Sequence, residues 1–219
     1  MERNVDLLEI SDGKIYGLND MVKACADNCA GCSACCHGRG DTVTLDPMDV
    51  HNLKKGLSMT FEQLLQRGIS LSVVEGVIRP SIMMTDESDS KCVFLNEQGR
   101  CRIHSFRPGL CRLFPLGRVY QENGLGYILL TGECVRENRT KVKVRKWIDM
   151  PDMSAYEDFL FKWHAFLKDL QQVFFESNDD AFLKNMNMYV LQKFYVEDFP
   201  AKVFYEKLSE RLDEARKLF

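Results

Sequence analysis

The chain has 219 residues, 45% of them hydrophobic and 28% charged, a balance that excludes a disordered chain and leaves enough apolar material for a core. Its net charge of −3 provides no global field to draw nucleic acid, so no nucleic-acid partner is expected. Nine cysteines stand far above ordinary usage, and an odd number cannot pair completely within one chain.

The opening stretch, Met1 to Lys14, is acidic and lacks a basic segment followed by an apolar one, which predicts no secretory leader. No apolar run approaches the roughly 18–20 residues that cross a bilayer. A cytoplasmic location without a membrane partner is therefore expected. Structural disulfides are rare in such a reducing compartment, so the cysteines read as metal ligands.

Asp46-Pro47 has the form of an N-cap with proline in the first helical turn and predicts a short helix ending near Gly56. Thr60 with Gln63 resembles a capping box and predicts a second helix through Leu65 towards Gly68. Arg79 to Thr85 reads as a short strand. Leu116 to Gln121 and Tyr127 to Leu130 read as a hairpin around Glu122-Asn123-Gly124, with Asn-Gly supplying the turn. The segments that carry the cysteines are rich in Gly, Asn and Ser and read as loops.

No cysteine follows Cys134, and the remaining chain is helical by period. Tyr156, Phe159, Leu160, Trp163, Phe166, Leu167, Leu170, Val173 and Phe174 recur at helix spacing with charges between them. A second tail helix is expected from Asp180 to Phe194, and a third from near Pro200 to about Leu218. The fold class expected is α+β, mostly α: an irregular cysteine-rich metal-binding core with a small β-hairpin, packed against a C-terminal helical bundle. The division falls between residues 1–145 and 146–219, the two forming one compact unit.

The cysteines form an ordered set. Cys25, Cys29, Cys32, Cys35 and Cys36 precede His37; Cys92, Cys101 and Cys111 follow, then Cys134. Cys-x2-Cys spacing lets two thiolates in a tight turn face one ion, and thiolates suit zinc, copper(I) and iron–sulfur clusters. Three cysteines at that spacing with a distant fourth also hold cubane clusters of the 4Fe-4S type. The metal-ligand set read here is Cys29, Cys32, Cys35, Cys36, Cys92, Cys101, Cys111 and Cys134, with Cys25, His37 and His104 as further candidates. Zinc and iron–sulfur both remain open. Adjacent Cys35 and Cys36 point to different sites, or one of them is buried and inert.

Arg39, Arg100, Arg102, Arg107, Arg112 and Arg118 lie near the cysteines, and guanidinium donors offset the charge of a thiolate centre. Arg107 and Arg112 are the favoured partners of this kind. His51 and His164 fall in predicted helices and read as surface or packing residues. Asp46, Asp49 and Glu133 are the nearest carboxylates, and capping and solvation explain them as well as catalysis does. Cys25-x3-Cys29-x2-Cys32 has the spacing of radical S-adenosylmethionine enzymes, yet the short downstream chain lacks their alternating strands and helices. No phosphate-cradling glycine loop, Gly-x-Ser-x-Gly or His-Glu-x-x-His is present.

Cys29-x2-Cys32-x2-Cys35-Cys36, then Leu45 to Val50 (LDPMDV), Cys92 to Leu95, Gly99 to Ile103, and Arg107-Pro108-x2-Cys111-Arg112-x-Phe114-Pro115 resemble the YkgJ-like cysteine-cluster family of CxxCxxCC proteins. Cys134 is a late match, and Cys25 is additional to the pattern. The resemblance covers roughly residues 25–135 and implies zinc or iron chelation without a settled reaction. A related branch, the flagellin lysine N-methylases, uses S-adenosylmethionine and is similar through the cysteine motif; this chain is shorter and shows no independent methyl-donor site. The expectations are thus a binding module ordered by metal, an enzyme doing redox or protein-lysine methylation chemistry with a protein substrate, or a metal carrier or sensor.

Overall fold

A computed structural model describes residues 6–25, 32–85, 90–200 and 203–219. Cys29 of the ligand set lies outside the described residues.

A one-turn helix, α1 (Leu7–Ile10), leads into strand β1 (Met21–Cys25). Helix α2 (Pro47–Leu57) starts on the expected cap. The Asp46 carboxylate accepts from the Asp49 N–H at 2.8 Å, and the Asp49 carboxylate accepts from the Asp46 N–H at 3.2 Å. Helix α3 (Phe61–Arg67) opens with the reciprocal pair of Thr60 and Gln63 and stops at Gly68. Both helix starts thus satisfy N–H groups that would otherwise be orphaned.

Strands β2 (Ile69–Val74) and β3 (Val77–Ile82) form a hairpin. The expected strand therefore begins earlier than Arg79 and has a partner. Its turn residues, Glu75 and Gly76, both take positive φ (52° and 83°), as a tight hairpin turn requires. Helix α4 (Gly109–Leu113) follows, and beyond the cis Phe114–Pro115 peptide come strands β4 (Leu116–Gln121) and β5 (Gly124–Leu129). Gln121 pairs with Gly124, so the turn is Glu122-Asn123, with Gly124 already in the strand rather than in the turn.

Strand β6 (Thr140–Lys143) returns to pair antiparallel with β1, in register Met21↔Lys143, Val22↔Val142 and Cys25↔Thr140. Cys25 thus ends a strand and not a loop. Helix α5 (Val144–Ile148) leads to α6 (Met153–Glu176), whose buried face is Met153, Tyr156, Phe159, Leu160, Trp163, Phe166, Leu167, Leu170 and Phe174. Helix α7 (Asp180–Leu191) runs into a π-helical turn at Gln192–Val196, and α8 (Phe204–Arg216) starts a few residues beyond Pro200.

One apolar cluster joins Val22, Leu53, Leu64, Phe94, Ile103 and Leu116 to Phe159, Phe166, Phe194 and Leu212. The aromatic stripe of α6 is therefore core. Trp163 lies 5.1 Å from Phe194 and 5.5 Å from Phe166 between ring centroids. Arg211 of α8 is buried because Lys193 and Asp198 carbonyls accept from its guanidinium, which also stands 4.0 Å from the Phe199 ring. No helix among the described residues is long and apolar enough to cross a membrane.

Candidate metal centre

Three separate stretches carry Cys35, Cys36, Cys92, Cys101 and Cys111. Cys35 and Cys36 occupy a 3-10 turn at Ala34–Cys36, closed by the Cys36 N–H donating to the Ser33 carbonyl at 2.8 Å. The next stretch is clipped onto that turn. Cys92 N–H donates to the Cys36 carbonyl at 2.8 Å, and Gly38 N–H donates to Ser90 at 2.9 Å. Cys92 and Cys101 sit at isolated bridges to Met84 and Leu95, and a turn at Asn96 to Arg100 returns the chain between them. Cys111 is carried by α4.

All eight described cysteines are free thiols. Cys35 and Cys36 hydrogen-bond to each other, which draws Cys35 down to about 6 and pushes Cys36 up. Arg39 and Arg107 add to the effect on Cys35. Burial pushes Cys92 and Cys101 up; the charge of Cys101 adds to the effect on Cys92, and that of Cys35 raises both. Cys111 is exposed as a residue, but its sulfur is enclosed. Desolvation raises it first, then the charges of Asp49, Cys92, Cys101 and Cys35. Five thiols from three stretches thus share one electrostatic environment, and each ionisation makes the next harder. A cation reverses that repulsion and deprotonates its ligands outright.

Cys32 and Cys134 lie on another side of Cys35. With Cys35 they line a narrow cleft walled by Phe114, Pro115 and Trp147. The Arg39 guanidinium ties three of its neighbours together: it donates to the Cys35 carbonyl at 3.2 Å and to Glu133 at 3.1 Å, and stands 5.1 Å from the Phe114 ring centroid. Cys25 lies at the β1 end, paired by backbone to Thr140. His37 bridges by backbone to Lys91, and the Nε2 of His104 meets the Arg107 guanidinium. Among the described residues, no three Cys, His, Asp or Glu side chains stand at the spacing of metal ligands.

The two favoured arginines divide in role. Arg107 pulls both Cys35 and Cys101 towards the thiolate. Arg112 donates to the carbonyls of Arg107, Asp149 and Ser105 at 3.1, 3.0 and 2.6 Å, bracing α4 against the neighbouring loops. Arg39, at the cleft, and Arg102, whose charge acts on Cys92, are nearer to the thiols than their sequence positions single out. Arg118 stands apart, against Tyr120 and within reach of the charge of the half-buried Asp46.

Free thiols carried on several stretches, with guanidinium groups acting on some of them, are the donor chemistry of a chelating protein. The chain belongs to the CxxCxxCC family, "Putative zinc- or iron-chelating domain", which matches residues 28–146, more than half of its length. No curated protein and no solved structure matches the chain.

Proposed function

We propose that the chain is a metal-binding module in which cysteine thiolates hold zinc or an iron–sulfur cluster of the 4Fe-4S type. The observation that carries this reading is the match of residues 28–146 to the chelating family, with Cys35, Cys36, Cys92, Cys101 and Cys111 close enough for their charges to act on one another. The donors fit the group: soft, free sulfur atoms, none committed to a disulfide, with Arg39, Arg102 and Arg107 placed to offset the negative charge of a thiolate centre.

Cys29, one motif step before Cys32, completes the donor set together with Cys32 and Cys134 at the cleft. His37, His104 and Cys25 are the reserve donors. Bound metal supplies the cross-link that ties the 3-10 turn, the Cys92–Cys101 loop and α4 together. Its binding energy is then folding energy for these short segments. Residues 1–145 serve as the chelating part and 146–219 as the apolar support on which it is built.

Anaerobic purification followed by metal analysis and a visible spectrum tests the proposal. Stoichiometric zinc in a colourless protein, or iron with acid-labile sulfide and broad visible absorption, is the expected result. A protein with neither metal and fewer than four titratable thiols overturns it.

A further inference from the structure

Behind Cys111 lies a carboxylate with no role in the chelation just described. Asp49 belongs to α2, is 5% exposed, and reaches across to α4. Its Oδ1 accepts from the Gly109 N–H at 2.8 Å, a buried contact between groups 60 residues apart in the chain. Its Oδ2 accepts from the Asp46 N–H, so both carboxylate oxygens are engaged. Gly109 is the first residue of α4 and Cys111 follows one turn-half later. The site admits no side chain there, since a Cβ on Gly109 would meet the Tyr156 hydroxyl at 2.2 Å. The cap of one helix therefore also fixes the start of another.

We propose that Asp49 is a positioning residue for the metal centre, holding α4 through the Gly109 N–H so that Cys111 is presented to the metal. The inference rests on the metal-binding reading above. Capping α2 alone does not explain the arrangement: a cap needs one acceptor oxygen towards Asp46, and the second oxygen is spent on Gly109. A buried carboxylate is costly unless it is hydrogen-bonded, and here both of its contacts are main-chain N–H groups.

Cobalt(II) titration of the full-length chain, read by the thiolate-to-cobalt absorption, tests it. Asp49→Asn is expected to weaken cobalt binding about 10–100-fold, the range for partners that orient metal ligands, with an unchanged helical circular dichroism spectrum. Asp49→Glu, which keeps a carboxylate, is expected to recover most of that loss. Asp46→Asn, an equally good N-cap, is expected to stay within about threefold of the parent. Should Asp49→Asn not fold, the donor is removed instead: Gly109→Pro in a Tyr156→Phe background, proline being suited to the first helical position, is expected to show the same loss. Parent-like cobalt affinity in Asp49→Asn or in the proline variant overturns the inference and leaves the metal reading standing. A parent chain that binds no cobalt overturns this inference, while the metal analysis of the purified chain decides the metal reading separately.

Discussion

The main-chain N–H of Cys92 donates to the carbonyl of Cys36 at 2.8 Å, so two cysteines far apart in sequence are joined by backbone before any metal is considered. A side-chain change at either position leaves that bond intact. Cys92→Ser is therefore expected to remain folded while its metal content falls to half of the parent's or less, on the order of the loss for one ligand of a closed site. Metal analysis against circular dichroism separates the two effects. Unchanged metal content in a folded Cys92→Ser chain removes Cys92 from the ligands.

Metal removal is expected to act unevenly. The helices from Met153 to Arg216 are held by apolar packing, whereas the 3-10 turn and the Cys92–Cys101 loop are held by a few backbone bonds. Chelation should leave the helical signal in place and raise amide exchange in residues 32–36 and 91–114. With zinc at about 1,000 times its Kd, linkage gives about 4 kcal/mol, or about 8–16 °C in thermal midpoint for a chain of this size. Equal loss of protection in both regions would contradict this picture.

Phe194 is fully buried against Trp163 and Phe166. Phe194→Ala is expected to lower stability by about 3–5 kcal/mol through the cavity it opens. Metal stoichiometry of the chains that remain folded should not change. Urea unfolding and metal analysis on the same preparation check both halves of the statement.

Much of this was legible locally. The Asp46 and Thr60 caps and the period of α6 are written in residues a few positions apart, and the structure keeps all three. The pairing of β1 with β6 was not legible, because Met21–Cys25 and Thr140–Lys143 are short and meet only through the tertiary fold. The β2–β3 hairpin is only half legible in the sequence, because Glu75-Gly76 lacks the Asn-Gly form of turn that marks such a hairpin. Among the arginines, proximity in sequence favoured Arg112, which instead braces carbonyls, and gave no reason to prefer Arg39. Asp49 read as a helix cap; its second oxygen reaches Gly109 only through the packing of α2 on the α4 region.

His51 gives the fold a dependence on pH. It is half-buried against Phe199 and Phe204, and burial first, then Lys55 and Lys54, hold its pKa below the ordinary 6.5. The unfolded chain then binds this proton more readily than the folded one, so the contribution is complete above pH 6.5 and is lost as pH falls below it. His51→Gln is expected to narrow the gap in urea midpoint between pH 8 and pH 5.5 relative to the parent. An unchanged gap would assign the acid sensitivity elsewhere.

The most direct measurement of the central claim maps thiol protection residue by residue. The full-length chain is alkylated with and without bound zinc, and each cysteine is read by peptide mass spectrometry. Metal is expected to protect Cys35, Cys36, Cys92, Cys101 and Cys111 together, at one stoichiometric transition, with Cys25 unaffected. Alkylation of those five at the same rate with and without zinc would contradict a shared thiolate centre.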